Sequence, residues 1–317
     1  MSEPATFVGV DVSKAHLDVA TRPGGATFRV PNDPAGVADL VGRLAPLAPA
    51  LVVLEATGGY EAPALAALQV AGIPAAAVNP RQARDFAKAT GRLAKTDRID
   101  AEALAHFAEA IRPEPRPPAA PERLGLDALL SRRGQLVEMR TMESNRLGTC
   151  RDAAVRAGIE RHLAWLDAEL ADAERRLDAA VKASPAWRER DELLRGIPGI
   201  GPVTSRTLLA SLPELGVTDG GRLAALVGLA PYAHDSGTMK GVRHIRGGRA
   251  DVRRALYMAA LSAARREGPL KLFADRLRSR GKKAKVVLIA VARKLLTIAN
   301  AVIRSGEPWR PELAMTR

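Results

Sequence analysis

Phe7-Val8-Gly9-Val10-Asp11 and Leu51-Val52-Val53-Leu54-Glu55 decide how this chain is read. Each is a short apolar run that reads as a buried strand, and each closes on an acid. A second pair of acids, Asp97 and Asp100, lies in Lys95-Thr96-Asp97-Arg98-Ile99-Asp100-Ala101-Glu102, at the opening of a predicted helix. Residues three apart on a helix share a face, and carboxylates at two strand ends can meet that face in one pocket. Such a cluster repels itself unless divalent cations neutralise it, and Mg²⁺ or Mn²⁺ suits carboxylate, water and phosphate oxygens. Two metals about 4 Å apart clamp the attacking and leaving oxygens of a phosphodiester. Asp11, Glu55, Asp97 and Asp100 are therefore candidate metal ligands of a nuclease-type centre. The same pattern also allows acids that only terminate elements, with Asp97 as a helix cap.

Working outward, residues 6–11, 17–21 and 26–30 read as three short strands, the last following the turn signal Pro23-Gly24-Gly25. A helix follows, with Asp33 as cap, Pro34 in the first turn and Val37, Leu40, Val41 and Leu44 on its apolar face. Next come the strand 51–54, a Gly58-Gly59 turn, a helix over 62–70 and a strand over 75–78. The basic, glycine-containing stretch 81–95 receives no element, and a last helix spans 97–111. Three meandering strands followed by alternating helices and strands give a mixed α/β sheet in the order of a ribonuclease-H-like fold, over residues 1–112.

Residues 113–121 hold five prolines in nine positions and read as an extended linker. Beyond it, Ile159, Leu163, Leu166, Leu170, Ala173, Leu177 and Ala180 follow a 3.5-residue repeat. They predict a helical, coiled-coil-like connector over 113–185, a hairpin with 122–157 that either packs within its own chain or forms a dimer seam. A mainly helical C-terminal domain occupies 186–317. Its Leu194-Arg195-Gly196-Ile197-Pro198-Gly199-Ile200-Gly201-Pro202 resembles the turn of a helix-hairpin-helix, in which Gly199 and Gly201 let backbone N–H groups face a phosphate. A plain interhelical turn satisfies the same residues.

The formal charge of +13 is unevenly spread. Residues 1–112 carry 11 Lys/Arg against 12 Asp/Glu, whereas residues 240–317 carry 20 against 5. A basic surface separate from the acidic one suits a phosphate backbone bound by counterion release. A basic membrane-surface helix fits less well, because Gly247-Gly248, Gly268-Pro269 and Gly281 interrupt the tail. The lone Cys150 excludes an intramolecular disulfide. No leader pattern or bilayer-spanning apolar run is evident, since Val286–Ala292 is the longest. A soluble, cytoplasmic, nucleoid-associated protein is expected.

Further motifs join these: Gly9-Val10-Asp11-Val12-Ser13-Lys14, Glu55-Ala56-Thr57-Gly58-Gly59-Tyr60, Asn79-Pro80, Leu226-Val227-Gly228-Leu229-Ala230-Pro231 and Asp235-Ser236-Gly237. In this order, covering nearly the whole chain, the set resembles the DEDD-type insertion-sequence transposases, recombinases whose element-encoded bridge RNA selects donor and target DNA. The resemblance implies a RuvC-like N-terminal domain with Asp11, Glu55, Asp97 and Asp100 as a metal-binding tetrad. It also implies a nucleophilic serine falling on Ser236, double-stranded donor and target DNA and a structured guide RNA as partners, and a homo-oligomer (dimer or tetramer) in which one subunit's acids meet another's serine. The chain departs from the pattern in carrying Asp235 where the family often has a second serine. Read alone, Ser236 is a turn residue. Lys240, Arg243, His244 and Arg246 suit either stabilisation of a phosphate in transit or solvated backbone binding. Two other readings of the residues stand: a structure-selective endonuclease or junction resolvase using water, and a non-catalytic helix-hairpin-helix nucleic-acid-binding protein.

Overall fold

Strict alternation along two strands builds the N-terminal half of the computed structural model, which describes residues 5–94, 96–115, 120–233, 235–237, 239 and 241–311. The chain divides into two compact units, 1–119 and 120–317. In the first, β1 (Phe7–Val12), β2 (His16–Arg22) and β3 (Thr27–Pro31) form an antiparallel meander. Helix α1 (Pro34–Leu44) then leads to β4 (Leu51–Glu55), parallel to β1, and α2 (Ala62–Val70) leads to β5 (Ala75–Val78), parallel to β4. The sheet order β3-β2-β1-β4-β5 puts β1 in the centre.

Because successive side chains point to opposite faces, β1 and β4 feed two cores. Val8, Val10 and Val12 pack with Leu40, Leu44 and Leu68 from α1 and α2. Phe7, Leu51 and Val53 pack on the other face with Ala83 of α3 (Pro80–Ala89) and Leu104, Phe107 and Ala108 of α4 (Asp97–Ile111). Asp33 caps α1 as expected, its carboxylate accepting from the Gly36 N–H at 2.8 Å. Helix α3 is a correction to the unassigned stretch 81–95. Asn79 caps it, accepting from the Arg81 N–H at 2.9 Å, and only small Ala83 and Ala87 are buried, so its apolar stripe is faint in the sequence. The cap of α4 is Thr96, which accepts from the Ile99 N–H at 3.3 Å; Asp97 is the first helical residue.

A seam of small residues sets where α4 lies. Gly9 sits opposite Ala20 in the β1–β2 ladder, and Ala20 packs against Ala101 and Ala105 of α4. A Cβ at Gly9 would stand 2.2 Å from both the Ala101 carbonyl oxygen and the Ala105 nitrogen. The helix backbone therefore rests on the bare α-carbon of the central strand.

In the second unit, α5 (Pro121–Thr149) and α6 (Ala153–Ala183) form a hairpin whose heptad residues Leu166, Ala173 and Leu177 are buried, packing with Leu126 and Leu136 of α5. Ala210 of α8 (Pro202–Ser211) joins Leu126, Leu177 and Val181, so the hairpin shares a core with the helices that follow. Helices α7 (Pro185–Arg195), α9 (Gly220–Val227), α10 (Ala250–Ala263) and α11 (Pro269–Ser279) gather with α8 around α12 (Ala284–Ser305). Helix α12, at mean hydropathy 2.0, is long and apolar enough to cross a membrane. Here its Val287, Val291, Leu295, Leu296 and Val302 fill the middle of this unit's core. Its Asn300 is buried but satisfied, accepting from the Gly216 N–H at 2.7 Å and donating to the Thr218 carbonyl at 2.9 Å.

The Gly9 contact makes a testable pair with Gly42, an exposed glycine within α1 whose added Cβ would meet nothing within 4 Å. Gly9→Ala must displace α4 and is expected to lower unfolding free energy by about 3 kcal/mol or more. Gly42→Ala should raise it by about 0.5–1 kcal/mol. Urea denaturation of both variants checks the contrast.

Candidate active site

Asp11 and Gly9 are two apart on β1, and Glu55 and Val53 are two apart on β4, so both acids share the face that α4 covers. Val10 pairs with Leu54, which sets Asp11 and Glu55 at the adjacent C-terminal ends of parallel strands. Helix α4, held at Gly9, brings its first turn with Asp97 and Asp100 toward the same place. The electrostatics register this gathering. The Asp11 carboxyl is pushed up from 3.8 to about 7, first by burial and then by the charges of Glu55, Asp100, Asp97 and Asp18. The other three sequence-expected acids thus all act on Asp11. Among the described residues, however, no three His, Cys, Asp or Glu side chains are gathered closely enough to hold a metal ion.

Asp18 is the acid the sequence reading missed. It lies directly opposite Asp11 in the β1–β2 ladder, so the two carboxylates share a face. Only the hairpin register reveals it, and the sequence contains that register in the tight turn at Ser13, whose N–H donates to the His16 carbonyl at 2.9 Å. Arginines offset part of this negative charge. The Arg29 guanidinium donates to Asp18 at 2.9 Å and to Asp97 at 3.1 Å, bridging strand to helix. Arg84 lies 3.8 Å from Asp100 and donates to the Leu93 carbonyl at 2.9 Å, tying the loop before α4 to α3.

The loops at this edge are pinned. Asn32 donates to the Ser13 carbonyl at 2.8 Å and to the Tyr60 carbonyl at 3.1 Å, joining the turn after Asp11 to the loop after Glu55. Within that loop the Glu61 carboxylate accepts from the Thr57 and Gly59 N–H groups at 3.0 Å each. Thr57 Oγ1 is buried with no hydrogen-bond partner. Neither Asn32 nor Glu61 bears a motif signature that could have marked it.

Ser236 belongs to the second unit, on an exposed excursion between β6 (Pro231–Tyr232) and β7 (His244–Ile245). Its N–H and C=O exchange hydrogen bonds with Met239 at 3.0 Å each, so it flanks a small turn and is itself exposed. Asp235, the departure from the family pattern, has a structural use, since it accepts from the Gly241 N–H at 3.1 Å and closes the turn. The base of the excursion is anchored by Arg249, paired to both oxygens of Glu214 at 2.6 and 2.7 Å, and by Arg253, which donates to the Val227 carbonyl at 3.1 Å. Arg243 and Arg246 are exposed there. Lys240 lies outside the described residues.

The two glycines of the predicted phosphate-binding hairpin separate. Gly199, at φ +93°, is pressed on α10, where a Cβ would come within 2.7 Å of the Ala259 carbonyl oxygen and of Ala263. Its lack of a side chain is therefore explained by packing. Gly201 is the extended cap of α8, without a side-chain cap and with open space beside it, which leaves that helix start accessible to an anion.

Charge at Asp11 carries a consequence for stability. Folding raises this carboxyl's affinity for a proton, so its contribution is fully present below pH about 4 and is lost as pH climbs toward 7. In chelator-containing buffer Asp11→Asn should match the wild type near pH 4 and melt at higher temperature at pH 8. The gain is expected to be about 1–2 kcal/mol, with solvent screening allowed for. Thermal melts across that range measure it, and a variant less stable at pH 8 contradicts the account.

Comparison with known proteins places the chain in a family. Residues 8–152 match a transposase family model of the DEDD type, and residues 191–275 match the transposase IS116/IS110/IS902 family. A pilin gene-inverting protein of Moraxella bovis is 30% identical over 240 residues, covering 73% of each chain. The pilin gene-inverting protein of Moraxella lacunata matches at the same identity and span. An insertion element IS116 protein of 44.8 kDa from Streptomyces clavuligerus is 30% identical over 162 residues, 50% of this chain and 39% of that protein. The chain belongs to the IS116/IS110/IS902 family of transposases and is a DNA transposase or recombinase.

Proposed function

We propose that this transposase excises and inserts a mobile element through metal-assisted attack of Ser236 on a DNA phosphate, at sites chosen by a structured guide RNA. The observation that carries the reading is the convergence of charge from Glu55, Asp97 and Asp100 on the half-buried Asp11. A sheet ordered β3-β2-β1-β4-β5, with acids at the ends of β1 and β4, supports a ribonuclease-H-like, RuvC-like assignment for the first unit. The donor set is all carboxylate, which fits a hard divalent cation such as Mg²⁺ or Mn²⁺. The Arg29 guanidinium, shared between Asp18 and Asp97, stands as a cation where the chemistry calls for one. Asp11, Glu55, Asp97 and Asp100 would hold the metal, Asp97 exchanging its arginine partner for it. When bound, the metal neutralises the carboxylates and polarises a phosphate oxygen.

Ser236 supports the second half of the reading by its exposure on an anchored excursion. In the proposed step its hydroxyl loses a proton to a base as Oγ bonds to phosphorus, and a sugar oxygen departs and takes up a proton. The phosphoserine link keeps the phosphodiester energy, so an incoming sugar hydroxyl can reverse the step and release the serine without ATP. The Moraxella relatives are named for inverting a pilin gene, which supports strand exchange of this kind. Arg243, Arg246 and Lys240, with Gly201 at the α8 start, are the proposed backbone contacts. The excess of 20 basic over 5 acidic residues in 240–317 supports binding to guide RNA and to duplex DNA. Assembly as a homo-oligomer and a nucleoid location belong to the same reading.

Strand cleavage by Asp11→Asn or Asp97→Asn should fall by about 100-fold or more while RNA binding in gel-shift assays stays within a factor of about two. Ser236→Ala should eliminate the denaturation-resistant protein–DNA adduct seen on gels. Cleavage that persists in that variant, with no adduct, points to water as nucleophile and a resolvase-type enzyme instead.

A further inference from the structure

In the same excursion as Ser236, the β6–β7 ladder sets Arg246, already a proposed backbone contact, beside two rings that the reaction scheme above does not use. Tyr232 and His244 stand directly opposite each other in that ladder, and directly opposed cross-strand residues have their Cβ atoms about 5 Å apart. Arg246 is two residues beyond His244 and so leaves the strand on the same side. These three side chains, with Ala233, line one surface cleft. The tyrosine is 48% exposed, and His244 and Arg246 are exposed with it. The open ring thus shares one cleft with an imidazole and a guanidinium.

We propose that the Tyr232–His244 cleft binds an unpaired nucleotide of a single-stranded DNA or RNA segment, the base stacking on Tyr232 and His244 and its phosphate pairing with Arg246. This deepens the transposase reading and rests on it. The chemistry is specific to unpaired strands, because a base within a duplex already has both faces stacked and offers none to a protein ring. Alanine beside the tyrosine leaves room for a ring to slide in, and a guanidinium forks onto two phosphate oxygens. Tyr232 is four residues before Ser236 on one short excursion whose base is anchored at Arg249 and Arg253. Tyr232 is thus a positioning residue, holding an opened strand beside the proposed nucleophile.

The test uses the full chain and two probes, oligo(dT) carrying 5-bromodeoxyuridine and oligo(rU) carrying 5-bromouridine. Irradiation should give an adduct mapped to the peptide containing Tyr232. An adduct with either probe supports the cleft, and the probe that gives it identifies the strand as DNA or RNA. Tyr232→Phe should keep the wild-type Kd, whereas Tyr232→Ala and Tyr232→Leu weaken it roughly tenfold. Leucine retains an apolar strand residue, so a loss there is not a folding defect. Arg246→Gln should reduce the slope of log K against log salt by about one, and the tyrosine variants should leave that slope unchanged. Wild-type affinity in Tyr232→Leu, or adducts confined to other peptides, overturns the inference. Asp97→Asn separates the two readings: if it remains dead for cleavage while the tyrosine variants bind normally, only the cleft falls. If it cleaves normally while those variants bind weakly, the cleft stands and the metal-site reading falls.

Discussion

The packing of α4 onto the bare backbone at Gly9 is the constraint on which the acidic face depends. The four acids that act on Asp11 come from two other strands, with Asp18 on β2 and Glu55 on β4, and from one helix turn, with Asp97 and Asp100 on α4. Nothing in their local structure brings Asp97 and Asp100 near Asp11. The seam of Gly9, Ala20, Ala101 and Ala105 does so, because small residues on both sides allow a helix backbone to sit directly on the sheet. The helix then has little freedom to slide, and its first turn overhangs the strand ends. Structure and electrostatics follow from that one contact. Burial is the first cause of the rise of the Asp11 carboxyl to about 7, and the charges of the surrounding acids follow.

Much of this was legible in the residues. Strand periodicity located β1, β4 and β5, and the Asp33-Pro34 and Asp97–Ile111 signals located α1 and α4, because apolar spacing and capping act within a few residues. What was not legible depends on register and on small side chains. Asp18 becomes an acid of the site only when it is placed opposite Asp11, which a count of strand residues does not fix. Helix α3 escaped notice because alanines, not leucines, form its buried side. Gly199 carried a phosphate-binding signature, yet its missing side chain answers to α10. A glycine in a motif has two possible reasons, and the sequence alone does not separate them.

The second unit shows the opposite economy, with little shape set by small residues and much by large aliphatic ones around α12. Against that firm core, the segment from Tyr232 to Ile245 is exposed at nearly every described position. Its anchorage is polar and confined to its base, through the arginines at 249 and 253. The surroundings of Ser236, the proposed nucleophile, are thus set by short-range turn contacts and lie apart from the packed interior.

Arg29 has a consequence for the resting protein. By lying between Asp18 and Asp97 it supplies an internal counterion to a patch that would otherwise push itself apart. Part of the counter-charge that this acidic face needs is therefore built into the strand beside it, and a cation bound at the proposed site would compete with a guanidinium for Asp97.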